Sequence, residues 1–308
     1  MDSSKLNENR DARPTVTIVG SGICGMFTGL ALDRRGFDVT IIERDTPPPD
    51  CSANEAFFSW QRRGVAQFRH PHAFLGLMCS VLEENYPDLL EHFFNAGARK
   101  VSFEDSVPDH LRPQYKPEPG DEKMWVLMCR RATMETVLRK YVTQTTRVII
   151  KNRISVTDII TKENDRHDVV VEGLRVVDHD NNNEKSELFS DIVIDSTGRS
   201  SKFSKWLSNC GIDITEERDD AEIVYYTRHY CLKDGVPEPP RDAKNPSMGD
   251  LGYMKYGIFP GDGGHFALII CLPNEEKKLR EAIKSGEKFD EIGMTIPGLR
   301  PWLSKDKS

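Results

Sequence analysis

The sequence predicts an α/β fold: a Rossmann-like domain built on a parallel sheet, joined to a smaller domain built on an antiparallel sheet. Three observations predict it. Residues 15–19, Thr-Val-Thr-Ile-Val, form a continuous β-branched run that leads straight into a glycine turn and a helical stretch, the pattern of a strand buried on both faces. Val39 to Glu43 repeats the strand signal one helix later, which completes a βαβ unit. After Ser208 the texture changes to longer strand-like runs, Ala221 to Leu232 and Gly264 to Leu272, of the kind that pair antiparallel.

Each element follows from local chemistry. The first helix runs to about Arg35, and Gly36 ends it as a C-cap glycine. Thr46-Pro-Pro-Pro-Asp50 breaks the pattern and begins a long excursion. Phe74 to Phe94 carries apolar residues at helical spacing, with Pro87 at a helix junction. Val107 to Asp121 is rich in proline and charge and reads as a loop. Ala132 to Thr143 is a helix with Leu138 and Val142 on its apolar side. Val148 to Ile150, Ile154 to Ile160, Val169 to Val177 and Leu188 to Asp195 read as strands, with a solvated hairpin tip at Asn181-Asn182-Asn183. Pro237 to Pro246 is a loop, and Glu275 to Ser285 is helical. The expected organisation is a disordered N-terminus over 1–14, a nucleotide-type domain over 15–211 with an inserted segment at about 101–128, and a second domain over 212–308.

Composition excludes several function classes. Of 308 residues, 38% are hydrophobic and 30% charged, which supports a packed core and not a disordered chain. The net charge of -7 is spread without a basic stripe, so no nucleic-acid partner is expected. Seven cysteines are scattered without CxxC spacing, which points to reduced thiols of a cytoplasmic protein and to no metal site. Residues 1–14 lack the apolar stretch of a secretion signal, and no run approaches the length of a transmembrane segment. The oligomeric state is not legible.

The chemistry centres on Gly20-Ser-Gly22-Ile-Cys-Gly25, set between a strand and a helix. Gly20 permits the tight turn, Gly22 lets backbone approach a pyrophosphate, and Gly25 allows close packing of helix on strand. The helix N-terminus then offers N–H groups and a positive dipole end to phosphates. Glu43 ends the second strand, where a carboxylate can accept hydrogen bonds from ribose hydroxyls, and Arg44 follows it. The turn alone does not separate FAD from NAD.

Later segments favour FAD through resemblance. Asp191-Ile-Val-Ile-Asp195-Ser-Thr-Gly198-Arg199 resembles the second flavin motif of the aromatic-hydroxylase (flavin monooxygenase) superfamily, and equally its form in geranylgeranyl-reductase-like and halogenase-like relatives. Arg131-Ala-Thr-Met-Glu-Thr-Val-Leu138-Arg resembles the family's Arg-x-x-Leu-x-x-x-Leu helix, whose arginine lies near the flavin; Arg131 is the match and Arg130 the adjacent alternative. Arg63-Gly-Val-Ala-Gln-Phe-Arg69-His70-Pro-His72-Ala-Phe-Leu is similar to a segment of bacterial FAD-dependent oxidoreductases akin to polyprenyl-methoxyphenol hydroxylases. The likeness continues through Tyr86-Pro, Ala96-Gly-Ala, Tyr225 to Tyr230 and Gly257 to Gly264, and so covers nearly all of 15–303.

The resemblance implies an FAD-dependent oxidoreductase that takes NAD(P)H as a transient reductant and O₂ as co-substrate, and that hydroxylates or epoxidises an apolar or aromatic small molecule. A reductase of an isoprenoid-like substrate is the alternative. The implied cofactor residues are Gly20, Gly22, Gly25, Glu43, Arg44, Arg131, Asp195 and Gly198. His70 and His72 are the candidates for catalysis, against a plainer role in packing and hydrogen bonding; two residues apart, they make a poor metal pair. The family's third flavin motif is not found at Gly261-Asp262-Gly263, so the chain is expected to be C-terminally incomplete, with an inactive fragment as a further alternative.

Overall fold

The computed structural model describes residues 13–107 and 110–304. The expected disordered N-terminus lies outside the described residues except for Arg13 and Pro14. The chain forms two compact units, 1–66 with 135–217 and 67–134 with 218–308. Residues 67–134 therefore group with the second unit and not, as the sequence suggests, with the nucleotide-type one. Local pairing explains much of this: Val126–Met128 pairs antiparallel with both Ala73–Phe74 and Arg99–Val101, so the excursion makes a small sheet of its own.

The first unit is built on a parallel sheet. Strand β1 (Thr15–Val19) pairs on one side with β2 (Asp38–Ile42) and on the other with Ile192–Asp195, while β2 also pairs with Ile149–Lys151. Helix α1 (Ile23–Asp33) packs on this sheet, and Gly29 lets it approach: an added Cβ would lie 3.1 Å from Ile41 and 3.6 Å from Val148. Val19, Ile42 and Val193 pack instead toward an antiparallel meander, Ile154–Glu163, Val169–Asp178 and Glu184–Phe189, and toward the helix Phe203–Asn209. Burial of this two-sided sheet is the expected reason its strands are continuous apolar runs.

One predicted strand is divided. Residues 188–195 do not form a single strand, because the chain leaves the meander at Phe189 and joins the parallel sheet at Ile192. The hinge is chemical. The Asp191 carboxylate accepts hydrogen bonds from the Thr15 N–H and Oγ, both at 2.7 Å, which pins the start of the new strand to β1.

In the second unit, Ile223–Cys231, His265–Pro273, Lys255–Pro260 and Met248–Asp250 form an antiparallel sheet in that spatial order. Strand alternation divides its side chains. Tyr226, Tyr230, Ile258, Phe266, Leu268 and Ile270 pack against a layer containing Ile283, Phe289, Ile296, Leu299 and Trp302. That layer includes the helices Lys277–Ala282, Gly286–Thr295 and Arg300–Leu303, so the single helix expected over 275–285 is a shorter turn followed by a longer helix. All seven cysteines are free thiols, and no helix among the described residues is long and apolar enough to cross a membrane.

Candidate functional site

The glycine turn has the geometry its spacing requires. Gly20 sits at φ +102°, its N–H donates to Ile42 O at 2.7 Å, and a Cβ there would lie 2.7 Å from Ser196 O. Gly25 is more constrained still: a Cβ would sit 2.0 Å from Gly20 O. Gly22 is different. It is the N-cap of α1 in extended conformation, and nothing lies within 4 Å of the place a Cβ would occupy. Two glycines are thus demanded by the protein's own packing, and the third leaves open space beside a helix end that no side chain caps. The unsatisfied N–H groups of such an end suit an anionic ligand.

The neighbouring strand ends complete the rim. Asp195 aligns with Val19 in the parallel register, and Ser196 N donates to Val19 O at 2.8 Å, so the 195–198 loop lies beside Gly20. The Asp195 carboxylate folds its own loop, accepting from Thr197 N and Oγ1 at 2.9 and 2.6 Å and from Ser201 Oγ. Gly198, at φ +71°, is exposed with open space around it. β1 lies between strands reached by opposite crossovers, and ligands of open α/β sheets sit at such a switch point. A cleft of about 430 Å³ adjoins the ends of β2 and Ile149–Lys151, lined by Ile42, Asn152, Val176, Asp178 and Leu188 among others.

Glu43 stands at the expected strand end, but its carboxylate faces inward. It is 7% exposed. One oxygen accepts from Ser21 N at 3.0 Å and Ser21 Oγ at 2.7 Å and lies 2.9 Å from Arg62 Nη1; the other accepts from Asp45 N at 2.9 Å. Burial alone would raise its pKa, yet the Arg62 charge and these donors outweigh it and hold the group at about 2. Arg44 is on the surface, within 3.9 Å of Asp45. Arg62, Glu135 and Arg139 surround the carboxylate and were not singled out in the sequence. Arg62 reaches Glu135 at 3.1 Å, and Arg139 reaches Ser21 Oγ at 3.1 Å and Asn152 at 2.5 Å. A signal existed: Glu135 and Arg139 lie one helical turn apart, beside the apolar Leu138 and Val142.

In the second unit the two adjacent arginines separate. Arg130 is consumed by the buried Asp262, which accepts from its N–H at 2.7 Å and its Nη2 at 2.6 Å and also from Thr133 Oγ1 at 2.9 Å. Asp262, set aside in the sequence as a failed flavin motif, thus holds Arg130 and Thr133 within the second unit. Arg131 instead points its Nη1 to His72 Nε2 at 3.3 Å. His72 Nδ1 meets His70 O at 2.8 Å, and its ring stacks on Phe74. His70 Nδ1 meets Thr227 Oγ1 at 2.8 Å, and His229 Nε2 meets Arg69 O. Burial lowers the pKa of His70, His72, His229 and His265 alike. The two candidate histidines therefore make the hydrogen bonds of a docked loop, and no described residues form a metal-holding group.

The sheet face opposite the helical layer carries these contacts. Register places Tyr225, Thr227, Ile269, Gly257, Met248 and Phe259 on it, a mixed apolar surface with Tyr225 and Met248 about half exposed. His72, His229, His265, Arg130 and Phe259 line a small hollow at its edge.

Comparison with known proteins agrees with this architecture. Residues 18–94 match the family profile described as an NAD(P)-binding Rossmann-like domain. No curated protein matches by sequence. Among solved structures, PqsL of Pseudomonas aeruginosa, described as a probable FAD-dependent monooxygenase, is similar at 15% identity and a TM-score of 0.61, over 91% of this chain and 66% of that one. CmlS, a flavin-dependent halogenase, is similar at 18% identity and 0.63, over 97% of this chain and 48% of that one. A flavoprotein/dehydrogenase of Cytophaga hutchinsonii is similar at 15% and 0.60, over 96% and 64%. The chain therefore has the fold of these flavoproteins and spans about two thirds or less of their length.

Proposed function

We propose that this chain is the dinucleotide-binding part of an FAD-dependent oxidoreductase, acting as an NAD(P)H-dependent monooxygenase on an apolar or aromatic small molecule with O₂ as co-substrate. The observation that carries this reading is the open space at Gly22, between two glycines that the fold itself cannot replace. A pyrophosphate fits there: backbone can approach it, and the α1 N-terminus supplies N–H groups and favourable dipole. Gly20 and Gly25 shape the turn, and Asp195 and Gly198 shape the loop beside it. Arg131 is assigned to the cofactor in preference to Arg130, whose guanidinium is already paired with Asp262.

FAD, when bound, supplies the redox and oxygen chemistry, and the protein supplies position and environment. The half-exposed face of Tyr225, Thr227, Ile269, Met248 and Phe259 favours an apolar substrate, because such surface is stabilised by being covered. PqsL, which shares the fold, has been crystallised with 2-aminobenzoylacetate, an aromatic small molecule. His70 and His72 are proposed to shape this surface, since their ring nitrogens are engaged with Thr227, a backbone carbonyl and Arg131. A cytoplasmic setting suits the free thiols.

The test is direct. The purified chain is mixed with FAD, desalted and examined for retained flavin absorption; NAD(P)H oxidation and O₂ uptake are then followed with candidate aromatics. Retained flavin with O₂-consuming turnover is the expected result. NAD(P)H oxidation without O₂ uptake would replace the monooxygenase by a reductase, and a folded chain that retains no flavin would overturn the cofactor assignment.

A further inference from the structure

Arg130 and Arg131 are neighbours in sequence and are held by opposite chemistry. Arg130 is paired with a carboxylate: its Nη2 lies 2.6 Å from Asp262, and both residues are buried. Arg131 donates instead from Nη1 to a ring nitrogen, His72 Nε2, at 3.3 Å. A carboxylate meets the charge of an arginine as well as its hydrogen. A neutral imidazole nitrogen accepts one of the guanidinium N–H groups and carries no charge of its own. The His72 contact therefore fixes the direction of Arg131 and does not offset its charge.

The same contact fixes the state of the histidine. A guanidinium is a donor only, so Nε2 must present a lone pair and the ring proton must sit on Nδ1. Nδ1 has an acceptor ready, the His70 carbonyl at 2.8 Å. That carbonyl is joined to His72 through Pro71, whose φ is fixed by its own ring. Stacking on Phe74, with the planes 14° apart, holds the imidazole from a third side. Burial lowers the pKa of His72, against the His70 carbonyl, and the Arg131 charge lowers it further. Cys129, Arg130, His229 and His265 line the same hollow as His72, and Asp262 pairs with Arg130.

We propose that His72 is a positioning residue: a neutral imidazole, protonated on Nδ1, that orders Arg131 for the anionic dinucleotide cofactor without offsetting the charge that attracts it. This rests on the assignment of Arg131 to the cofactor above. A long side chain ordered in advance loses less conformational freedom when the anion arrives, and affinity gains by that difference.

Two measurements test it. The first reads the His72 ring nitrogens by NMR in the ligand-free, isotope-labelled chain at about pH 8, where the imidazole is neutral. A bare Nε2 and a protonated Nδ1 are expected; a proton on Nε2 overturns the proposal, because Arg131 then has no acceptor there. The second titrates FAD into the parent, His72→Leu, His72→Gln, Arg131→Met and the double variant His72→Leu with Arg131→Met. His72→Leu is expected to weaken FAD binding at least about tenfold. His72→Gln, which returns an oxygen acceptor, is expected to bind FAD at least about threefold more tightly than His72→Leu. In the Arg131→Met chain the His72→Leu change is expected to cost less than about threefold, because no guanidinium is left to order. A loss that came only from disturbed packing would be the same in both chains. Missing any one of these limits overturns the proposal. If the parent chain binds no FAD, the functional reading falls, and the ring nitrogens still decide whether His72 holds Arg131.

Discussion

The glycine turn of the first unit and the histidine-bearing sheet face of the second build their surfaces in opposite ways. Around Gly20 to Gly25 the outward surface is backbone, and the polar side chains, Glu43, Arg62, Glu135 and Arg139, are turned inward and buried. On the sheet face the backbone is regular strand, and side chains such as Tyr225, Met248 and Phe259 form the outward surface. A backbone surface is set by sterics and fails abruptly; a side-chain surface is set by packing and changes by degrees. Under the proposed function, the first kind of surface suits a ligand common to many proteins, and the second suits a substrate that differs among them.

The sharpest way to break this contrast is Gly25→Ala. A Cβ 2.0 Å from Gly20 O cannot be accommodated without moving the turn, so the variant is expected to lose more than about 3 kcal/mol in urea unfolding and to lose flavin uptake. Asp262→Asn is the corresponding test in the second unit. It removes the carboxylate that pairs with the buried Arg130 at 2.6 Å and is expected to cost between about 3 and 5 kcal/mol in urea unfolding.

Acid exposes the same inward charges without mutation. The folded-state pKa of Glu43 is depressed from 4.5 to about 2, so its contribution is present above pH 4.5 and is lost as pH falls toward 2. That shift is worth on the order of 3 kcal/mol, and Glu43→Gln should flatten the urea midpoint over that window. The smallest effect is expected from the imidazoles. Burial depresses their pKa values, so the folded state favours the neutral rings; stability is complete above the ordinary histidine value of 6.5 and declines as pH falls below it. His72→Gln should remove part of a shallow slope in unfolding midpoint between about pH 7.5 and 5.5.

What the sequence made legible was local. The strand, turn and helix of 15–35 agree among themselves in propensity, spacing and capping, and Gly36 closes the helix at φ +84° as expected. The place of Glu43 at the end of β2 was legible for the same reason. Its partner was not, because Arg62 arrives 19 residues later through a segment without periodicity, and nothing in that spacing says which charge it meets. Residues 188–195 looked like one strand because propensity does not report a change of sheet; the Asp191–Thr15 contact that causes it spans 176 residues. Arg130 and Arg131 were indistinguishable by position, and only Asp262, delivered by a distant hairpin, separates them.

The most direct measurement is flavin retention by Gly22→Ala beside the parent chain. Alanine fits the extended backbone at this position and meets nothing within 4 Å, so the urea midpoint and circular dichroism should be unchanged. The methyl group would stand where the pyrophosphate approaches, and affinity for FAD should fall by at least about tenfold, or 1.4 kcal/mol. A variant that folds as the parent does and no longer keeps flavin through desalting is the result predicted. Equal retention by both chains, or retention by neither, would contradict the assignment of this turn as the FAD site.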